Sequence, residues 1–186
     1  MALDTRDRLI RTTSRILRTQ GYAATGLNRI MAEAEAPKGS MYFHFPGGKE
    51  ELAAAAVDNF AGRVTGWLHQ RLEDNATVRE AVLAVLDAYV QDMERTDYRN
   101  GCAVATVALD ASATHDLLAE STGRALREWV DVLAAALETE GRSPEEAHGL
   151  ATLVIAVFEG VIVMAKGERS TEPITAAREV MSRVLA

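Results

Sequence analysis

Between Asp4 and Gln20 the apolar residues fall at Leu9, Ile10, Ile16 and Leu17, with Thr13 between them, which is helical spacing. Asp4 or Thr5 supplies a cap at its start, and Gly21 followed by apolar Tyr22 reads as a C-terminal stop. Thr25 then offers an N-cap hydroxyl to a second, shorter helix whose apolar positions Leu27, Ile30, Met31 and Ala34 run i, i+3, i+4, i+7. After a break at Glu35-Ala36-Pro37 the pattern predicts a third helix with Pro37 in its first turn. Two short helices joined by a tight turn, with a longer helix before them, make a helix-turn-helix unit.

The third segment carries more aromatic surface than it can bury. At ~100° per residue, Met41 and Phe45 share one core-facing stripe. Tyr42, Phe43 and His44 then point in other directions, beside Lys38, Gly39, Ser40 and Lys49. Exposed rings among cations and small polar residues suit a surface that presses on a phosphate backbone and on groove edges. The spacing predicts a DNA-recognition helix.

Beyond residue 48 the chain reads as further helices: Gly48 to about Asp74, then one capped by Thr77 and running to about Arg95. A short apolar piece follows from Cys102 to about Ala111, and a long helix from His115 to Glu140. Ser143-Pro144-Glu145-Glu146 is a helix start, with Ser as cap, Pro first and Glu third. Thr171-Glu172-Pro173 opens the last helix. From Leu150 to Ala165 nearly every residue is apolar, interrupted by Thr152, Glu159 and Gly160. A helix apolar all round must be covered all round. The run falls short of the ~20 apolar residues of a bilayer span. A partner subunit on one face is the expected solution, giving a two-fold homodimer through the helices near 144–166 and 173–185. Ile174, Ala177, Val180, Met181 and Val184 make the last of these amphipathic.

Charge sharpens this division. The formal net charge is −7, which taken alone argues against a nucleic-acid partner. Residues 1–49 hold 8 Lys+Arg against 4 Asp+Glu, whereas residues 50–186 hold 12 against 23. A basic head of net +4 therefore sits on an acidic body of net −11. With no strand-like alternation, the expected class is all-α: a three-helix head at 1–48 and a helical body at 49–186. The N-terminus is polar and charged from Asp4, so no signal peptide is expected. One cysteine, Cys102, cannot form an internal disulfide, which fits a reducing cytoplasm.

The run from Arg8 to Leu52 resembles the DNA-binding domain of TetR-type transcriptional repressors. Ile30 to Phe45, ending Gly-Ser-Met-Tyr-Phe-His-Phe, and Lys49-Glu50-Glu51-Leu52 carry the resemblance. His44-Phe45-Pro46-Gly47-Gly48-Lys49, with Asn100-Gly101-Cys102-Ala103-Val104 later, is similar to the LmrA/YxaF-like branch. One departure stands out: Glu35 occupies the turn position where the family usually has Gly. A left-handed non-Gly residue there costs about 1 kcal/mol. Resemblance and geometry together assign Thr25, Tyr42, His44 and Lys49 to phosphate, and Lys38, Gly39, Ser40 and Phe43 to the base edges. Gly39 lets the backbone approach closely, and Phe43 offers apolar contact such as with a thymine methyl.

For the body, the resemblance implies dimerisation through the last two long helices and a small-molecule pocket. Phe60, Trp67, Tyr89, Met93, Trp129 and Phe158 are large enough to line an apolar cavity, or to serve as plain core. Cys102 is read as an inert buried thiol or a sensor, although no basic neighbour in sequence lowers its pKa. Glu159, a carboxylate in an apolar helix, calls for a ligand cation, a partner across the dimer, or water.

No catalytic or metal-binding pattern is evident. His44, His69, His115 and His148 are scattered, His69 and Glu73 form an ordinary i, i+4 pair, and Gly47-Gly48-Lys49 lacks the spacing of a phosphate loop. No metal, cofactor or membrane partner is expected. The expected function is a homodimeric repressor that holds a palindromic operator and is released by a small, largely apolar effector. The alternative is a helical small-molecule-binding protein without operator-specific DNA binding.

Overall fold

A computed structural model describes residues 4–37 and 39–186. Lys38, assigned above to base edges, lies outside the described residues. Among these the chain forms nine helices and no strand, as the periodicity predicts. They are α1 Thr5–Gln20, α2 Leu27–Glu33, α3 Ser40–His44, α4 Gly48–Asp74, α5 Val78–Arg95, α6 Ala103–Ala111, α7 Asp116–Thr139, α8 Pro144–Glu168 and α9 Glu172–Val184.

Two compact units result, and the division falls inside α4 and α7. The first comprises residues 1–63 and 102–125, the second residues 64–101 and 126–186. In the first, Leu9, Ile10 and Ile16 of α1 pack with Ile30 of α2, Met41 of α3, Phe45 and Leu52. Burial of this cluster orients three short elements that would be unstable alone.

Side-chain caps fix three of the helix starts, and a glycine closes α1. The Asp4 carboxylate accepts from the Asp7 amide at 2.8 Å, and Gly21 closes α1 with φ of +76°. Thr77 caps α5 and Ser143 caps α8, each accepting the amide three residues on. Two expected starts are corrected. Thr25 does not cap α2: the N-cap is Gly26, and the Thr25 hydroxyl donates to the Gly21 carbonyl instead. The third helix starts at Ser40 rather than Pro37, because the Pro37 carbonyl is used in a turn that accepts from the Ser40 amide at 2.9 Å and the Ser40 hydroxyl at 2.7 Å.

Glu35 does adopt the left-handed conformation, with φ of +49°. A clamp absent from the sequence reading holds the turn. Arg8 of α1 donates Nε to the Ala34 carbonyl at 3.1 Å and Nη2 to the Glu35 carbonyl at 3.3 Å. These are carbonyls that the end of α2 leaves without helical partners. Glu35→Gly is therefore expected to raise stability by no more than about 0.5 kcal/mol, strain relief being largely offset by the greater freedom of unfolded Gly. The midpoint of urea denaturation reads this; a lower midpoint would show that Glu35 makes a compensating contact.

The second unit packs α5, α8 and α9 together. Arg178 of α9 grips Asp87 of α5 through Nε at 2.6 Å and Nη2 at 3.0 Å, which pushes the guanidinium pKa up. α8 buries Ala151, Val154, Ile155, Phe158, Val161, Ile162 and Ala165 on one side. Its full 25 residues, longer than the apolar run in the sequence, reach the length and hydropathy of a membrane span.

Candidate nucleic-acid interface

α3 and the turns flanking it carry the candidate surface. Met41 and Phe45 are buried, whereas Tyr42 is 62% and Phe43 80% exposed. Two large rings turned to solvent from a five-residue helix are a standing cost unless a partner covers them. The outward residues follow the predicted directions. Phe43 and His44 meet edge to face with ring centres 5.0 Å apart, so the half-buried imidazole braces the exposed ring. Arg6 lies 5.3 Å over the centre of the Phe45 ring and covers it from α1.

Gly39 sits just before α3 with φ of −83°, and a Cβ added there would meet nothing within 4 Å. Neither backbone conformation nor internal packing calls for glycine at this place. What its missing side chain leaves is a bare backbone at the surface beside Ser40 and Phe43.

Two expected contact residues turn inward. Thr25 is 1% exposed, its hydroxyl holding the turn after α1 through Gly21. Lys49 donates Nζ to the Tyr22 carbonyl at 2.7 Å and lies 4.0 Å over the Tyr22 ring. Burial lowers the Lys49 pKa, against an opposing pull from the Asp110 carboxylate. The same burial, with Glu50 nearby, raises that of Tyr22. Asp110 of α6 accepts the Ala23 amide at 2.7 Å, and His115 packs edge-on to Tyr22 at 4.8 Å. The loop between α1 and α2 is therefore pinned by Thr25, Lys49 and Asp110. Sequence reasoning missed Asp110 and Arg8, because a contact across dozens of residues leaves no local periodicity.

The expected ligand residues divide between the two units. Trp67, Tyr89 and Phe158 form a chain of rings in the second, Trp67 stacked on Tyr89 at 6.1 Å and Tyr89 edge-on to Phe158 at 5.6 Å. Met93 and Trp129 are buried in that unit, and Glu159 is half-buried there. Phe60 and Cys102 belong to the first unit, Phe60 lying under the Arg18 guanidinium and Cys102 buried at the start of α6. Asn100, from the branch-like string, donates its amide to Asp92 at 3.2 Å and ties the end of α5. No group of three or more metal-ligating side chains occurs among the described residues.

The helix-turn-helix with its outward aromatic face matches the family model of bacterial regulatory proteins of the tetR type over residues 9–56. Residues 78–180 match that of the C-terminal domain of LmrA/YxaF-like transcriptional regulators. This chain belongs to the TetR family. The HTH-type transcriptional regulators YxaF and LmrA of Bacillus subtilis are each 32% identical to it over 92% of its length, covering 90% and 91% of their own. In fold it is similar to a cysteine-substituted CifR complexed with 26 bp double-strand operator DNA, with a TM-score of 0.76 and 23% identity over 100% of this chain and 98% of that one. As a member of the LmrA/YxaF-like branch the protein is a DNA-binding transcriptional regulator, and its relatives are regulators rather than enzymes. In TetR terms, Glu35 keeps the left-handed turn without the usual Gly, and Arg8 supplies the hydrogen bonds that hold it.

Proposed function

We propose that the protein is a homodimeric repressor that holds a palindromic operator and releases it when a small effector binds the body. Residues 1–48 carry the DNA contacts, and residues 49–186 carry dimerisation and effector binding. The observation that carries the DNA reading is the pair of exposed rings on α3. Gly39, Ser40 and Phe43 face the base edges, and Tyr42 and His44 the phosphates. Thr25 and Lys49, turned inward in this structure, we assign to support of that surface.

Dimerisation rests on α8 and α9. Leu153, Val163 and Met164 of α8 are exposed on the side opposite its buried stripe, as are Val180 and Val184 of α9. Gly149, Gly160 and Gly167 lie among them with nothing within 4 Å of an added Cβ. Small residues between exposed aliphatic ones let a second backbone come close, and two-fold symmetry makes such a stripe self-complementary. Two recognition helices held this way read half-sites about one DNA turn apart. A cytoplasmic location follows from this function.

Fluorescence anisotropy with the DNA beside the protein's own gene, a scrambled duplex and a salt series tests the reading. Selective binding that weakens steeply with salt is the expected result. Equal, weak binding to both duplexes, with no operator recovered by genome-fragment selection, would overturn it in favour of a small-molecule-binding protein. Within this test Gly39→Val is expected to leave the melt within about 0.5 kcal/mol of wild type. It should weaken operator binding about tenfold, near 1.4 kcal/mol. Unchanged affinity would remove Gly39 from the contact surface.

A further inference from the structure

The unit that carries α3 does not end with the helix-turn-helix: it also contains α6 and the start of α7. α6 packs against α1, and at the end of α1 it comes close enough to require a glycine. A Cβ on Gly21 would stand 2.9 Å from Asp110 Oδ2 and 3.2 Å from Thr106 Cγ2, and the φ of +76° favours glycine as well. Just beyond Gly21, two opposite charges grip one peptide group. The Asp110 carboxylate accepts the Ala23 amide at 2.7 Å, and the Lys49 ammonium donates to the Tyr22 carbonyl at 2.7 Å. These are the N–H and the C=O of the same Tyr22–Ala23 peptide. α2 follows at once, and its N-cap Gly26 supplies no side-chain hydrogen bond to fix its start.

We infer that Asp110 is a positioning residue for operator recognition: it sets the peptide from which α2 departs, and through α2 the seat of α3, without touching DNA. This rests on the α3 surface proposed above. A planar peptide held on both sides has its orientation fixed, and hydrogen bonds to charged groups are the strong ones. α2 and α3 share one small core through Ile30 and Met41, so the entry of α2 into that core decides how α3 is presented. Asp110 itself is exposed. In its absence water can meet the Ala23 amide, so its loss leaves no buried orphan and costs the fold little. The freed loop must instead be ordered when the head meets its operator, and the cost appears there. Charge alone predicts the reverse. A carboxylate in the unit that meets phosphate opposes binding at long range, and its removal should strengthen binding to any duplex. Position and charge therefore give opposite signs for the same substitution.

Anisotropy of full-length Asp110→Ala and Asp110→Asn on the operator duplex selected by wild type, and on a scrambled duplex, tests this assignment. Asp110→Ala is expected to weaken operator binding at least about fivefold, the equivalent of one ordinary hydrogen bond. Its affinity for the scrambled duplex should be unchanged or higher. Asp110→Asn keeps an acceptor oxygen at the same reach and should stay within about twofold of wild type. Hydrogen exchange across residues 21–26, measured without DNA, should quicken in Asp110→Ala and not in Asp110→Asn. Wild-type operator affinity in Asp110→Ala, an equal fall on both duplexes, an early melt, unchanged exchange, or an Asp110→Asn as weak as Asp110→Ala would each overturn the proposal. Tyr42→Ala combined with Phe43→Ala is run alongside. If that variant keeps wild-type affinity the α3 surface fails, and if it alone loses affinity only the role of Asp110 does.

Discussion

Tyr42→Ala combined with Phe43→Ala is expected to reduce operator affinity by at least about 100-fold while leaving the thermal melt and the mass of the proposed dimer unchanged. The two rings are 62% and 80% exposed, so their removal opens no cavity of the kind that destabilises a core. Good contacts to DNA contribute ~1–3 kcal/mol each, and two of them in each of two heads exceed the ~2.7 kcal/mol of a 100-fold change. Loss of the phenol should lower affinity for operator and scrambled duplex alike. Loss of the Phe43 ring should lower selectivity between them. A variant that aggregates or melts early would return both rings to the core. A folded variant with wild-type affinity would move the DNA surface away from α3.

Val163→Glu is expected to convert the proposed dimer to a monomer and to abolish operator binding with its helical content intact. Val163 is 56% exposed in the isolated chain, beside Met164 at 51%, on the outer stripe of α8. Under two-fold symmetry each such change places two carboxylates in one apolar interface. Unpaired buried charges cost several kcal/mol apiece after relaxation, enough to dissociate a dimer of ordinary affinity. Each monomer would then hold a single half-site, and the gain from linking two binding events is lost. Sedimentation of the variant decides the matter. A dimer of unchanged affinity would place the interface elsewhere, and the exposed stripe would need another partner.

The placement of the aromatic residues was legible because it is a local matter. A helix turns by ~100° per residue, so a five-residue segment with Met41 and Phe45 inward has no inward place left for Tyr42 and Phe43. Helix starts with a side-chain cap, such as Asp4, Thr77 and Ser143, were legible for the same reason. Thr25 shows where that logic stops. A threonine before a helix is a sound cap on propensity, but its hydroxyl found the Gly21 carbonyl, and Gly26 took the cap position without a side chain. Lys49 is similar. Its sequence context reads as a cation for phosphate, whereas its ammonium lies against the Tyr22 carbonyl and ring. Which of two nearby acceptors a flexible donor chooses depends on neighbours that fold beside it.

The amino-acid sequence by itself determined the all-helical class, the helix-turn-helix and the family. Helical periodicity, capping and turn residues act within a few positions of one another, so they are written consecutively. Tertiary structure alone decided that Arg8 closes the left-handed turn at Glu35 and that Asp110 pins the loop after α1. Each of these depends on one polar group meeting another element of its unit, far along the chain or packed beside it. Such a meeting is set by the packing of the core and leaves no period in the sequence.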